Sequence, residues 1–470
     1  MTFVATRRST SALYLSAMRY ATLLPLLALG CASGRPGTPP AAATSSEPVY
    51  TADAKPPPVS VPIPVEAAAP LPATMRTGAE RLAASGFAEL RGMRVGLIAN
   101  HTTRAGSRHV ADLIRSADGV TLAALFGPEH GVRGDADAGE RVANGRDPAT
   151  GVPVFSLYGR HRAPTDSMLA TVDVLVFDVQ DVGARFYTYL STMGLAMQSA
   201  ARRGIPFVVL DRPNPLGGAY VGGFTLEPAQ TSFVGQYTIP QAHGMTAGEL
   251  ARMIAGEALL PGLERLNLRV IEAEGWTRAQ RWPAFGRAWV APSPNIPAFE
   301  TALVYAGTCL FEGTAASEGR GTRDPFRLLG APWADADRLA ADLNGRRLPG
   351  VRFEPARFTP ASIAGMSSSP KLLGQPLQGV RIVVTDAGAV EPVALGVHTL
   401  DAFLRQSPGA ATEAGRAAFF ARADFFDKLA GTPRLREMMV AGATPEAVVA
   451  AWSADVRAFE ARRAAYLLYP

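Results

Sequence analysis

An apolar run, Val120–Phe126, breaks abruptly into Gly127-Pro128-Glu129-His130-Gly131. A carboxylate and an imidazole at the end of such a run are residue types that move protons in catalysis. The pattern recurs along the chain. The run Met93–Asn100 opens into Asn100-His101-Thr102, and Val172–Val179 opens into "DVQDVGARFYTY" (Asp178–Tyr189). Ile205–Asp211 opens into Asp211-Arg212-Pro213-Asn214-Pro215. If each run is a parallel strand, these ends share one rim, where open α/β sheets bind ligands.

Glu129, between Pro128 and Gly131 and beside His130, is the candidate general acid. Asp178 and Asp211, at strand ends, either bond loop N–H groups or act in chemistry. Asp181, farther out in its loop, is the better placed of the three for catalysis. Arg185 either pairs with one of these acids or meets an anionic ligand. The "RFYTY" cluster either packs in the core or offers a face to a sugar ring. Glu249 closes a T-A-G-E capping box and is assigned to the helix end. A second dense patch, Trp289–Phe326, carries Glu312, Glu318, Arg320 and Arg323.

Several chemistries lack their signatures. "GDADAG" (Gly134–Gly139) fails as an EF-hand loop, because Gly139 and Arg146 fall where oxygen ligands are needed. No H-E-x-x-H or G-x-S-x-G occurs, and the two cysteines, Cys31 and Cys309, cannot make a cysteine-type zinc site. No glycine-rich phosphate loop follows any strand, which disfavours a nucleotide site. No cofactor and no metal are expected. The net charge of +5 comes without basic runs interleaved with aromatics, so nucleic acid is not an expected partner. Mild basicity suits an anionic substrate.

Runs that are apolar throughout fit strands covered on both faces. Helical patterns alternate with them: Leu190, Met193, Met197 and Ala200 share one face of a segment ending at Gly204. This alternation predicts a doubly wound parallel α/β sheet over residues 76–305. A smaller α/β domain, 306–470, is expected to cover the cleft. It holds a strand at Gly379–Asp386, a helix near Leu395–Leu404, and a C-terminal helix capped by Thr444. Residues 1–31 read as a lipoprotein signal: Arg19, the apolar Leu23–Leu29 and a small residue precede Cys31, the expected lipidation site. The proline-, alanine- and serine-rich stretch 32–75 reads as a disordered tether.

Longer motifs narrow the reading. "LFGPEHGVRGDADAGE", "VFDVQDVGARFYTYLSTM", "LDRPNPLGG", "IPQAHGMTAGELA", "APSPNIP", "GTCLFEGTAASEGRGT" and "FDKLAGTPRLREMM" occur in this order. Over about residues 76–470 the chain resembles the bacterial exo-β-N-acetylmuramidases of the NamZ type. One departure is the first-strand loop, "ANHTTRAG" where the family has a "TNPTG"-like segment. The resemblance implies a two-domain glycoside hydrolase with a Rossmann-like N-terminal domain, releasing N-acetylmuramic acid from non-reducing ends of peptidoglycan fragments in cell-wall recycling. The family's catalytic glutamate maps to Glu129.

The resemblance gives the remaining candidates their roles. Glycoside hydrolysis needs a proton donor and a second group at the anomeric carbon. Glu318 is the first candidate for that second group, with Asp181 behind it; His130 stands beside the acid. The substrate's own acetamido group is a third route. Arg185 or Arg320 is expected on the lactyl carboxylate, and Tyr187 on the sugar face. Asn100, Asp178, Asn214 and Asn295 are further substrate-binding candidates. Expected partners are peptidoglycan-derived muropeptides or disaccharide fragments, and a membrane through Cys31. The expected location is the envelope, on the outer membrane facing the periplasm, because Ala32 is not the aspartate that retains lipoproteins in the inner membrane. Two rivals are a non-catalytic peptidoglycan-binding lipoprotein and a metal-dependent hydrolase using Asp178, Asp181, Asp211 and His130. The sequence carries no signal of oligomeric state.

Overall fold

A computed structural model describes residues 75–134 and 144–470. Cys31, the leader, the tether and most of Gly134–Gly139 lie outside these residues.

Each apolar run forms a strand whose alternate residues enter different cores. In β1 (Arg94–Ala99), Val95, Leu97 and Ala99 pack toward α1 (Gly78–Ala84) and α2 (Val110–Arg115), while Ile98 joins the opposite core. Further along the chain come β2 (Thr121–Gly127), β3 (Gly145–Arg146), β4 (Pro153–Ser156), β5 (Val174–Asp178), β6 (Phe207–Leu210) and β7 (Leu268–Ile271). In β5, Val174 and Val176 face one core, and Leu175 and Phe177 the other. Burial on both faces is why these strands show no polar alternation.

The seven strands lie in the order β7-β6-β5-β1-β2-β4-β3. All pair in parallel except β3, which runs antiparallel to β4 at the edge. The first six parallel strands thus follow the Rossmann order, with the switch point between β1 and β5. On the second face, α3 (Tyr189–Arg203) buries Leu190, Met193, Met197 and Ala200, and ends at Gly204 in the left-handed region. Beside it, α4 (Ala247–Gly256) starts with the Thr246–Glu249 capping box.

The remaining chain adds a three-stranded antiparallel sheet, giving a two-part α/β architecture. Its strands, β8 (Leu328–Ala331), β9 (Val351–Phe358) and β10 (Leu377–Val384), lie in the order β8-β10-β9. The helix α5 (Phe299–Thr308) lies across the expected division at 305/306. It meets α7 (Pro392–Gln406) at Gly307 and Gly396, after α6 (Ala336–Gly345). A Cβ on Gly396 would lie 2.6 Å from Gly307 Cα, so the helix backbones touch there. One buried apolar cluster runs from Met75 to Tyr469 through both parts.

Five short helices follow: α8 (Glu413–Phe419), α9 (Ala423–Ala430), α10 (Arg434–Val440), α11 (Pro445–Ala451) and α12 (Ser453–Arg463). The expected C-terminal helix is therefore two. Thr444 accepts from Ala447 N as its cap, and the break falls at Trp452.

Candidate active site

The Gly127–Gly131 turn has a specific geometry. Gly131 N donates to Pro128 O at 3.0 Å, closing a turn with Glu129 and His130 at its apex. His130 adopts φ 72, a region costly for a side-chain-bearing residue. A Cβ on Gly127 would sit 3.2 Å from Gly131 Cα, so the loop folds directly back over the strand end. His130 is buried, while Glu129 is half-buried. Glu129 Oε2 accepts from Thr188 Oγ1 at 2.9 Å, and the Tyr158 hydroxyl also reaches the carboxylate. Burial, then the Glu129 charge, pushes the Tyr158 phenol well above its usual range. Tyr158 therefore stays a donor.

Glu129 lines a cleft of about 480 Å³ with Glu312, Glu318, Arg320, Ser367, Ser369, Pro370, Lys371 and Arg422. The turn after β2 and the distant "EGTAASEGRG" patch thus meet. Glu318 is fixed where Ser317 bridges Gly330 of β8 and Phe326 N donates to Glu318 O at 2.6 Å. Its carboxylate lies 3.0 Å from Lys371 Nζ and 3.9 Å from Arg320 Nε. Arg320 also pairs with Glu312 at 2.9 Å. Burial opposes the Arg320 charge, but the two glutamates outweigh it and hold the guanidinium protonated.

Near Glu129 lie buried polar groups: the Asn100 amide and the Tyr187 hydroxyl approach the Tyr189 hydroxyl, and Asp181 Oδ1 has no hydrogen-bond partner among the described residues. Asn100 Oδ1 is held by Thr102 N (2.9 Å) and Thr102 Oγ1 (2.6 Å), which fixes the amide. Tyr187 packs edge-on against Tyr189 and Tyr305 and feels the charges of Glu129 and Asp181. Asp181 Oδ2 accepts from Gly183 N at 2.6 Å. Burial pushes the Asp181 carboxyl up to about 7. His243 Nε2 lies 3.8 Å from it, and burial lowers that imidazole to about 3. Unmatched polar atoms in a core are costly unless a ligand satisfies them. Hydroxyl and amide groups of a sugar would do so.

Other expected site residues are placed differently. Arg185 is buried and donates to the carbonyls of Phe224 (2.9 Å), Ile239 (2.8 Å) and Leu429 (2.8 Å). It therefore clamps backbone rather than meeting an anion in the cleft. Asp178 is bound by Arg212 through Nε and Nη2, a buried structural pair. Asn214 is satisfied by Met245 O and Leu216 N. Asp211 accepts from Thr246, Tyr469, Arg212 N and Gly248 N. Asn295 donates to Met366 O at 2.7 Å, and its Oδ1 is buried without a partner. With Asp178 and Asp211 engaged in these bonds, two of the four donors of the metal-dependent rival are taken up. Among the described residues no three acidic, histidine or cysteine groups converge for a metal.

A second cavity, about 360 Å³, lies at the switch point beside Thr102, Gln180, Arg212, Trp282 and Trp289. None of its lining side chains carries a buried unmatched polar atom.

Glutamates lining one open cleft on a doubly wound sheet are the residue type that glycoside hydrolases use. The family description "Exo-beta-N-acetylmuramidase NamZ, N-terminal" matches residues 95–300, and the C-terminal counterpart matches 303–469. The chain belongs to the NamZ exo-β-N-acetylmuramidase family. It is 41% identical over 396 residues to the peptidoglycan β-N-acetylmuramidase NamZ of Bacillus subtilis (strain 168), covering 84% of this chain and 91% of that one. Two crystal structures of DUF1343 family proteins from Bacteroides fragilis NCTC 9343 share the fold. Their TM-scores are 0.75 and 0.65 at 36% and 31% identity, each covering 84% of this chain and 99% of the other.

Sequence reasoning missed Tyr158, Thr188, Lys371 and Arg422. Only Tyr158 had a usable signal, in the "SLYG" turn that ends β4 as "FGPEHG" ends β2.

Proposed function

We propose that the protein releases terminal N-acetylmuramic acid from non-reducing ends of peptidoglycan fragments, with Glu129 as general acid and Glu318 as the second carboxylate. The observation that carries this reading is their presence on one cleft. Glu129, oriented by Thr188, protonates the departing glycosidic oxygen. Glu318, set beside Lys371 and Arg320, stabilises or attacks the anomeric carbon. The buried Asn100, Tyr187 and Asp181 atoms receive the polar groups of the terminal sugar. The unpartnered Asp181 Oδ1 favours a second route, in which Asp181 orients the substrate's acetamido group as internal nucleophile. The residues from 306 onward supply the cleft's second wall in either route.

The test is release of free N-acetylmuramic acid from a MurNAc–GlcNAc disaccharide by the purified protein. Saturable binding with no sugar release would instead make it a peptidoglycan-binding protein. Glu318→Gln and Asp181→Asn separate the two routes: the variant that loses turnover with binding intact marks the second group.

The same reading places the protein at the outer membrane through a lipid on Cys31, supported by the "MRYATLLPLLALGC" leader. Radiolabelled palmitate should enter the wild-type chain and not Cys31→Ser. Equal labelling of both would reject the anchor.

A further inference from the structure

Three carboxylates and three cations line the cleft, and two of the cations are already engaged. Lys371 Nζ donates to Phe311 O (2.7 Å) and Thr314 O (3.1 Å) and pairs with Glu318 (3.0 Å). Two of its three N–H groups thus go to backbone carbonyls, and its charge is paired with Glu318. Arg320 is held by Glu312 and Glu318 and lies over the Phe326 ring. Arg422 differs. Its guanidinium is exposed, rests 4.3 Å over the Phe425 ring, and forms no ion pair among the described residues. Its backbone N–H donates to Gly313 O at 2.9 Å, which fixes the residue beside the Glu312–Glu318 wall.

We propose that Arg422 binds the lactyl carboxylate of the terminal N-acetylmuramic acid. It thereby selects that sugar over N-acetylglucosamine, which has the same ring without the acid. This inference rests on the hydrolase reading above. A guanidinium resting over an aromatic ring keeps N–H groups for another partner, and its fork matches a carboxylate in two parallel hydrogen bonds. Arg185 cannot serve, because three backbone carbonyls hold it in the core. The substrate carboxylate would give a counter-charge to Arg422, which alone among the lining cations has no acidic partner among the described residues.

Paired substrates test this: an aryl glycoside of N-acetylmuramic acid and the same glycoside with its lactyl group methyl-esterified. The wild-type protein should prefer the acid by about tenfold or more in kcat/KM, the scale of one charge-assisted contact. Arg422→Gln should lower the acid-to-ester ratio in kcat/KM to near one, mainly through the KM of the acid. Arg422→Lys should retain part of the preference. An acid-to-ester ratio in Arg422→Gln equal to that of the wild type overturns the assignment, as does a wild-type protein indifferent to the ester. If the wild type cleaves neither glycoside, the hydrolase reading fails by itself. Calorimetric binding of free N-acetylmuramic acid and its methyl ester to both proteins then decides the role of Arg422 separately.

Discussion

The hydroxyl of Thr188 donates to Glu129 Oε2 at 2.9 Å, joining the N-terminus of α3 to the end of β2. Thr188 occupies the N-cap position of α3, yet its side chain makes no capping bond. A residue type that ordinarily closes a helix end is turned toward the acid. The helix start gives up a capping bond, and the carboxylate gains a fixed orientation.

Thr188→Ala should therefore lower kcat by about tenfold, the scale of one hydrogen bond to a charged group. Thermal stability should change little, because no cap is lost. Thr188→Ser should keep most of the activity. A drop in melting temperature with kcat unchanged would assign Thr188 to the helix after all.

Glu129→Gln should lower kcat by roughly 10²–10⁴, the usual contribution of a positioned general acid, with KM nearly unchanged. An aryl substrate with a very good leaving group needs less protonation and should recover part of the rate. Uniform loss across leaving groups would argue that Glu129 acts otherwise.

Asp181 should leave a mark on stability against pH. Burial pushes its carboxyl from 3.8 up to about 7, so the fold favours the protonated form. That contribution is fully present below pH 3.8 and is lost as pH rises through about 7. Measured by urea unfolding, the stability of the wild type relative to Asp181→Asn should decline across this window and level off above it. Parallel stability curves for the two proteins would contradict the assignment.

Arg185 should act on folding rather than recognition. Arg185→Met leaves three carbonyls without their donor and should cost about 3–5 kcal/mol. Gly431→Ala should also destabilise, because its Cβ would lie 2.5 Å from Arg185 Nη2 and the backbone there has φ 86. Denaturant midpoints check both. A change in the preference for the lactyl acid by refolded Arg185→Met would reinstate it as a substrate contact.

The fold of the first part was largely legible, because strands buried on both faces announce themselves as unbroken apolar runs. Glu129 was legible because a strand end and a glycine-bounded turn are local signals. The three-stranded sheet was only partly so. β9 contains Pro355, which argues against a strand in isolation, but β9 lies at the sheet edge, where proline is tolerated. The roles of Arg185, Asp178 and Asn214 were not legible. Arg185 binds a carbonyl 244 positions away, and Asp178 an arginine 34 positions away. No local pattern encodes such partners. Arg422 and Lys371 were invisible for the same reason, since their significance depends on which neighbouring cations are already occupied.

Tyr469 donates to Asp211 Oδ2, a contact across 258 residues, and Leu468 N donates to Glu249 Oε1 across 219. During synthesis the carboxylate at the end of β6 must wait for these groups while nearly all the intervening chain is made. The Rossmann-order sheet therefore emerges from the ribosome with the carboxyl end of β6 unsealed. Its final consolidation is a late, long-range event, and an obstacle near residue 469 would be felt at the opposite end of the folding sequence.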